Sequence, residues 1–179
     1  KTQQGGTSQS AKAGGFTAMT QDQGTQIVGL AASMGLDIPL LGSDTLDSNV
    51  VLEAAQGSNV QLYVSTFYQE GGSPKFDDGI KAWLNEDSTA MTNNGGNDTI
   101  AAVTAMGYDA YYVALEALKA AGSTDKAAVK AALPDVTYTG VSGSIAFDEQ
   151  GDAIRDTAYI KTADTANNAW TLETVQTVE

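Results

Sequence analysis

Apolar residues recur at helical spacing in three stretches of the chain. The clearest pattern lies in residues 99–122, where large apolar residues return every three or four positions, at Tyr108, Tyr111, Tyr112, Leu115 and Leu118. A second pattern covers residues 25–34 and stops at Gly35, a residue that commonly ends helices. A third follows Ser73 and Pro74, which favour a helix start. These patterns predict three amphipathic helices.

Strand patterns and shorter segments lie between these helices. Residues 16–19 form a possible short strand, residues 38–41 a continuous apolar run typical of a buried parallel strand, and residues 59–67 an alternating strand. The strand at 16–19, the helix at 25–34 and the strand at 38–41 indicate one βαβ unit with a right-handed crossover. Residues 47–49 then introduce a short helix that ends at Gly57, and a capping role of Asp44 would start this helix at Leu46. Further on, a short helix stops at Pro134, an alternating strand follows over 141–147, and residues 157–161 and 169–178 predict a hairpin.

Two segments have no strong periodicity. Residues 1–15 contain no apolar residue larger than alanine, so they predict either a flexible leader or a weak surface helix before the first strand. Residues 85–98 predict a polar loop, and the paired glycines in residues 68–73 suggest a linker or hinge.

The order of motifs in the second half is more specific than any single motif. It runs from Gly107-Tyr108-Asp109-Ala110 through Ala121-Gly122-Ser123-Thr124-Asp125 to Gly140, Gly143 and Phe147-Asp148-Glu149-Gln150-Gly151-Asp152. In this order the chain resembles the C-terminal part of type I periplasmic solute-binding proteins, in particular receptors that deliver branched-chain amino acids to ABC transporters.

The resemblance implies an α/β fold of Rossmann-like lobes with parallel sheets, in an incomplete two-lobed architecture. Residues 16–67 with 156–179 would belong to the second lobe, residues 68–73 to the hinge, and residues 74–155 to the first lobe. Receptors of this family are about twice as long as this chain, so we expect a truncated or half-length receptor. It would need a complementing chain or a homodimer, and in a full receptor it would meet an ABC permease.

The composition narrows the range of functions. The net charge of −13 argues against nucleic acid and anionic membranes as partners. The chain has no cysteine and no histidine, which removes disulfides, thiolate chemistry and the commonest general base and metal ligand. We therefore expect a protein that is not an enzyme and has no cofactor. We also expect an extracytoplasmic location, although no signal-peptide pattern is present.

Candidate binding residues lie where the first two predicted strands end. Ligands of open α/β sheets bind beyond the carboxyl ends of the strands, which points to residues 20–23 and 42–45. The resemblance implies that Asp44 pairs with the ammonium group of an amino-acid-like ligand, with Ser43, Thr20 and Gln21 beside it. A helix N-cap or turn role for Asp44 is the alternative.

The resemblance gives two further indications about the ligand. Receptors of this family have an aromatic residue where this chain has Thr20 and Gln21, which argues against an aliphatic ligand. Val103 lies where a helix of the first lobe approaches the ligand. A sensor or interaction module without a transport role is the alternative function.

Two weaker signals have competing structural explanations. Residues 148–152 could suggest a calcium loop, but they lack the spacing of an EF-hand and favour a solvated turn. The tyrosines at 108, 111 and 112 could form a ligand platform, but their helical spacing favours a core with the hydroxyls at its rim.

Overall fold

The computed structural model describes residues 15–17, 19–155 and 157–177. Six α-helices lie in these residues: α1 Gln21–Ser33, α2 Asn49–Ala55, α3 Pro74–Glu86, α4 Ser88–Asn93, α5 Ala102–Ala121 and α6 Lys126–Ala132. The described strands are β1 Gly15–Thr17, β2 Pro39–Gly42, β3 Gln61–Thr66, β4 Tyr138–Gly140, β5 Gly143–Phe147, β6 Ala153–Ile154, β7 Thr157–Asp164 and β8 Ala169–Thr177. The predicted leader lies outside the described residues, except Gly15, which begins β1.

The first and last thirds of the chain build one five-stranded sheet in the order β1-β2-β3-β7-β8. β1, β2 and β3 are parallel, with Leu40 opposite Leu62, and β7 is antiparallel to β3, with Lys161 opposite Val64. The predicted βαβ unit and the predicted terminal hairpin are both confirmed. The hairpin extends the sheet that the first three strands begin.

The core of this part lies between the sheet and helices α1 and α2. Its buried members come from β2 and β3, from the inner faces of the two helices and from the turn before α2, and include Val28, Leu46, Val51, Leu62 and Val64. Burial alternates along β3 because successive strand side chains point to opposite faces, so Leu62, Val64 and Thr66 of β3 point inward. Burial of each apolar side chain contributes roughly 1.5–3 kcal/mol before entropy is counted.

The middle of the chain forms helices α3 to α6 and a small antiparallel sheet, β4-β5-β6. Asp109 of α5 is fully buried, and its carboxylate accepts hydrogen bonds from the amides of Val141 (2.9 Å) and Ser142 (2.7 Å) and from the Ser142 hydroxyl (2.6 Å). Gly140 lies so close to this carboxylate that a Cβ there would collide with it. The residues that carry the sequence resemblance therefore join α5 to the β4–β5 turn.

The segment 68–73 is a well-bonded turn between β3 and α3. The Tyr68 ring is buried, and its hydroxyl donates to Asp77 (2.7 Å) and accepts from the Ser73 amide (3.1 Å). Asp77 also accepts from the Gly71 amide (2.7 Å). Burial and the hydrogen bond to Asp77 raise the pKa of Tyr68 above its usual range.

Several element boundaries differ from the sequence predictions. The predicted loop 85–98 contains helix α4, because the Asp87 carboxylate accepts the amides of Thr89 (2.9 Å) and Ala90 (3.0 Å) and so caps a helix. The predicted short helix that residues 47–49 introduce is confirmed. It begins at Asn49 and not at Leu46, and the Ser48 hydroxyl accepts the Val51 amide (3.3 Å).

Candidate functional site

The carboxyl ends of β1 and β2 meet at one edge of the parallel sheet. The Thr45 hydroxyl, after β2, donates to the Met19 carbonyl, after β1, at 2.7 Å. This bond brings Thr20, Ser43 and Asp44 to the same edge, as the parallel strand order predicts.

Thr20 is the N-cap of helix α1. Its hydroxyl accepts the Gln23 amide (3.4 Å), and the Gln23 side chain accepts the Thr20 amide (3.4 Å), which forms a capping box. Helix α1 therefore begins at Gln21, four residues before the predicted start at Thr25. The Thr20 hydroxyl still has its own proton to donate, and the exposed Gln21 side chain has no hydrogen-bond partner among the described residues.

Asp44 lies on a short turn whose other side chains are held in place by hydrogen bonds and packing. Asp44–Leu46 is a single 3-10 turn with Ser43 at its N-cap position. The hydroxyls of Ser43 and Thr45 are 2.8 Å apart, and the fully buried Leu46 side chain fits against Gly24 and Gly42, where a Cβ would collide with it. The turn is thereby fixed on both sides.

The Asp44 carboxylate itself is half-buried, and within the described residues no hydrogen bond or ion pair engages it. Of the two alternative roles of Asp44, the structure shows the turn role, because Asp44 is the first residue of the 3-10 turn. It does not show the role of helix N-cap, because Ser48 caps α2. Asp44 is therefore a free acceptor on a rigid turn, at the sheet edge where ligands of open α/β sheets bind.

A second acid in the same loop was not singled out by the sequence analysis. Asp47 is buried, and its carboxylate forms an ion pair with the buried Lys161 (2.9 Å) and accepts the Thr66 hydroxyl (2.8 Å). The sequence contained one indication of this ion pair, namely a lysine, Lys161, in a segment whose alternating pattern predicts a strand. Lys161 balances the charge of Asp47, whereas no described residue forms an ion pair with Asp44 in the same loop.

Val103 is the second residue of α5 and is 56% exposed. The preceding residue, Ala102, donates its amide to the Asp47 carboxylate at 3.3 Å. The N-terminus of α5 is therefore beside the loop that carries Asp44, which brings the region of Val103 toward the other candidate residues.

The two weaker signals have structural explanations. Asp148 accepts the amides of Gln150 (2.9 Å) and Asp152 (2.8 Å) and so closes a turn. Among the described residues, no group of three or more acidic side chains is arranged to hold a metal ion.

Tyr108 and Tyr111 are 40% and 63% exposed, and both rings contact the ring of Tyr112. The tyrosines therefore form a row of ring contacts at the surface and not a buried core.

Comparison with known families gives one match over most of the chain. Residues 7–168 match the family model described as periplasmic binding protein. No curated protein sequence matches the chain.

Several solved structures share the fold. A leucine-binding protein, LivK, from Thermotoga maritima is 24% identical with a TM-score of 0.70, and the match covers 92% of this chain and 44% of that one. The branched-chain amino-acid transporter substrate-binding protein LivJ from Streptococcus pneumoniae, in complex with isoleucine, is 22% identical with a TM-score of 0.63, covering 96% and 47%. An ABC transporter substrate-binding protein from Desulfitobacterium hafniense is 26% identical with a TM-score of 0.58, covering 89% and 43%.

The chain spans less than half the length of each of these structures. The α/β fold expected from the sequence is confirmed, with an extent that corresponds to part of a two-lobed protein. No described helix has the length and apolar character that a membrane crossing requires.

Proposed function

This chain belongs to the periplasmic binding protein family, and we propose that it supplies the part of an extracytoplasmic receptor that captures the ammonium end of an amino-acid-like solute. The receptor would deliver the solute to an ABC permease. The single observation that carries the proposal is the Asp44 carboxylate, which has no partner among the described residues and lies on a fixed turn at the carboxyl edge of the parallel sheet. A carboxylate held in this way gives an ammonium group a charge-assisted hydrogen bond at low entropic cost.

The surroundings of Asp44 support a polar ligand. The Thr20 hydroxyl and the Gln21 amide lie at the same edge, and neither is an apolar surface for an aliphatic side chain. The S. pneumoniae structure contains isoleucine, which shows that this fold binds an amino acid in that protein. For this chain we propose an amino acid or a related small polar solute.

The proposed arrangement of the receptor follows the chain. Residues 16–67 and 156–179 would form one lobe, and residues 74–155 would contribute to the other. The five-stranded sheet, whose strands β1 to β3, β7 and β8 come from the two ends of the chain, supports this division. The turn over residues 68–73 would be the hinge. Closure of such lobes around a solute is the mechanism by which two-lobed receptors bury their ligands.

The test is calorimetric titration of this chain with amino acids that differ in their side chains, beside the matching 2-oxo acids, which lack the ammonium group. The proposal predicts heat of binding with at least one amino acid and none with its 2-oxo acid. Asp44→Asn removes the charge while keeping the size, and binding should weaken at least tenfold, the scale of a lost charge-assisted hydrogen bond.

The matched control is Asp78→Asn, which makes the same change of net charge at an exposed position of α3. This variant should bind as the wild-type chain does. Equal binding of an amino acid and its 2-oxo acid, unchanged binding by Asp44→Asn, or no binding of any amino acid would contradict the proposal.

A further inference from the structure

The loop that presents Asp44 is anchored in the interior through Asp47. Both carboxylate oxygens of Asp47 face the Lys161 ammonium, at 2.9 and 3.2 Å, and one of them also accepts the Thr66 hydroxyl and the Ala102 amide. Asp47 and Lys161 are 1% and 2% exposed. A buried carboxylate with three donors has little freedom to move, because any displacement would leave charges unpaired in the interior.

The position of Asp47 sets the position of Asp44 through the backbone. The Asp47 amide donates to the Asp44 carbonyl at 3.0 Å, which closes the 3-10 turn. Two residues separate Asp44 from Asp47 along the chain. The Asp47 carboxylate points inward, and the Asp44 carboxylate has no partner among the described residues. A shift of the inward group therefore shifts the turn that carries the outward one.

Asp47 also caps a helix that starts far along the chain. Ala101, at the N-cap position of α5, has no side chain that can accept a hydrogen bond, so the Ala102 amide uses the carboxylate of Asp47, 55 residues earlier. The positive end of the helix dipole adds to this attraction. Since α5 lies in the part of the chain that would form the other lobe, the cap connects the candidate ligand loop to that part.

We propose that Asp47, held by Lys161, is a positioning residue for ligand capture: it sets the place of the Asp44 carboxylate and ties that place to the N-terminus of α5. This inference rests on the proposed function. The buried ion pair would then contribute to ligand affinity as well as to stability. If the loop were not bound to α5, each binding event would have to order the loop, and this entropy cost would lower the affinity.

The test is a double-mutant cycle on ligand affinity, with an amino acid that wild-type protein binds as the probe. Asp47→Asn should weaken binding about tenfold, the scale of coupling between neighbouring residues. In the Asp44→Asn background, the same change should alter affinity less than twofold, because the group that Asp47 positions has already been removed. Equal losses in both backgrounds would overturn the inference.

The cycle separates the two proposals. If Asp44→Asn leaves affinity unchanged, the proposed function fails. If Asp44→Asn weakens binding and the effect of Asp47→Asn is additive to it, only the positioning role fails. Ser48→Ala removes the cap of α2 in the same loop and should lower stability without changing affinity.

A measurement without ligand covers the case in which Asp47→Asn folds poorly or no ligand is found. Amide hydrogen exchange of Ala102 and Val103 should be faster in Asp47→Asn, and also in the double variant Asp47→Asn/Lys161→Met, where no buried charge is left unpaired. Asp44→Asn should leave this exchange unchanged. Wild-type exchange rates at Ala102 in both Asp47 variants would overturn the inference.

Discussion

The Lys161 ammonium lies 2.9 Å from the Asp47 carboxylate, although 114 positions separate the two residues in the chain. The pair connects the loop after β2 to the terminal hairpin. Thr66 at the end of β3 and Ala102 at the start of α5 donate to the same carboxylate. Four segments that are distant in sequence therefore meet at one buried acid.

Removing one partner of this pair should cost more stability than removing both. Lys161→Met leaves the Asp47 charge buried without its counter-charge, and we expect a loss of about 3–5 kcal/mol in the free energy of unfolding. Asp47→Asn/Lys161→Met should recover part of that loss. Urea denaturation measures both, and a double variant less stable than Lys161→Met would contradict the prediction.

Two glycines of helix α1 should respond in opposite directions to alanine. A Cβ at Gly24 would collide with Leu46, so Gly24→Ala should destabilise the fold by about 1–3 kcal/mol. A Cβ at Gly29 meets no atom within 4 Å, so Gly29→Ala should stabilise the helix by about 0.5–1 kcal/mol. Thermal unfolding of the two variants distinguishes them, and a penalty at Gly24 that persists in a Leu46→Ala background would show that Leu46 is not its cause.

Asp109 should be among the residues whose truncation costs most in the middle of the chain. Asp109→Ala would leave the amides of Val141 and Ser142 without their acceptor, and we expect a loss of about 2–4 kcal/mol. Asp125→Ala removes an exposed helix cap and should cost about 1 kcal/mol. Denaturant titration gives both values, and equal costs would argue against the role of Asp109 in joining α5 to the β4–β5 turn.

Tyr68 should make stability depend on pH in the alkaline range. Burial and the bond to Asp77 raise the pKa of its hydroxyl in the folded protein, whereas the unfolded chain releases this proton near pH 10. The stabilisation is therefore complete below about pH 10 and is lost as the pH rises above it.

The difference between wild type and Tyr68→Phe isolates this contribution. Tyr68→Phe should be less stable than wild type at pH 8, and the gap should narrow as the pH rises beyond 10. Tyr111→Phe changes an exposed ring and serves as the control. A gap that stays constant from pH 8 to pH 11 would contradict the prediction.

Much of the fold could be predicted from the sequence because local periodicity reports burial directly. Residues 59–67 alternate because one face of β3 packs on the core, and the apolar spacing in residues 99–122 gives helix α5. The terminal hairpin followed from two alternating segments separated by turn residues. The family followed from the order of motifs around Asp109 and Gly140, which the structure shows to be a structural joint.

The boundaries in the Asp44 loop could not be predicted in the same way. The sequence left open whether a helix starts at Leu46 or after residues 47–49, and in the structure a separate 3-10 turn, Asp44–Leu46, precedes α2. Such boundaries depend on hydrogen bonds and ion pairs between side chains that are distant in the sequence. Local propensity carries no information about them.

The sequence by itself determined the α/β class, the strand and helix order, the family and the edge at which Thr20, Ser43 and Asp44 lie. Only the tertiary structure decided that Asp44 has no partner in the part of the chain that the structure describes, while Asp47, three positions later, is buried against Lys161. The physical reason is that a buried charge is tolerated only beside an opposite charge and hydrogen-bond donors. For Asp47, the sheet, the terminal hairpin and α5 supply these partners, and they meet only when the chain has folded.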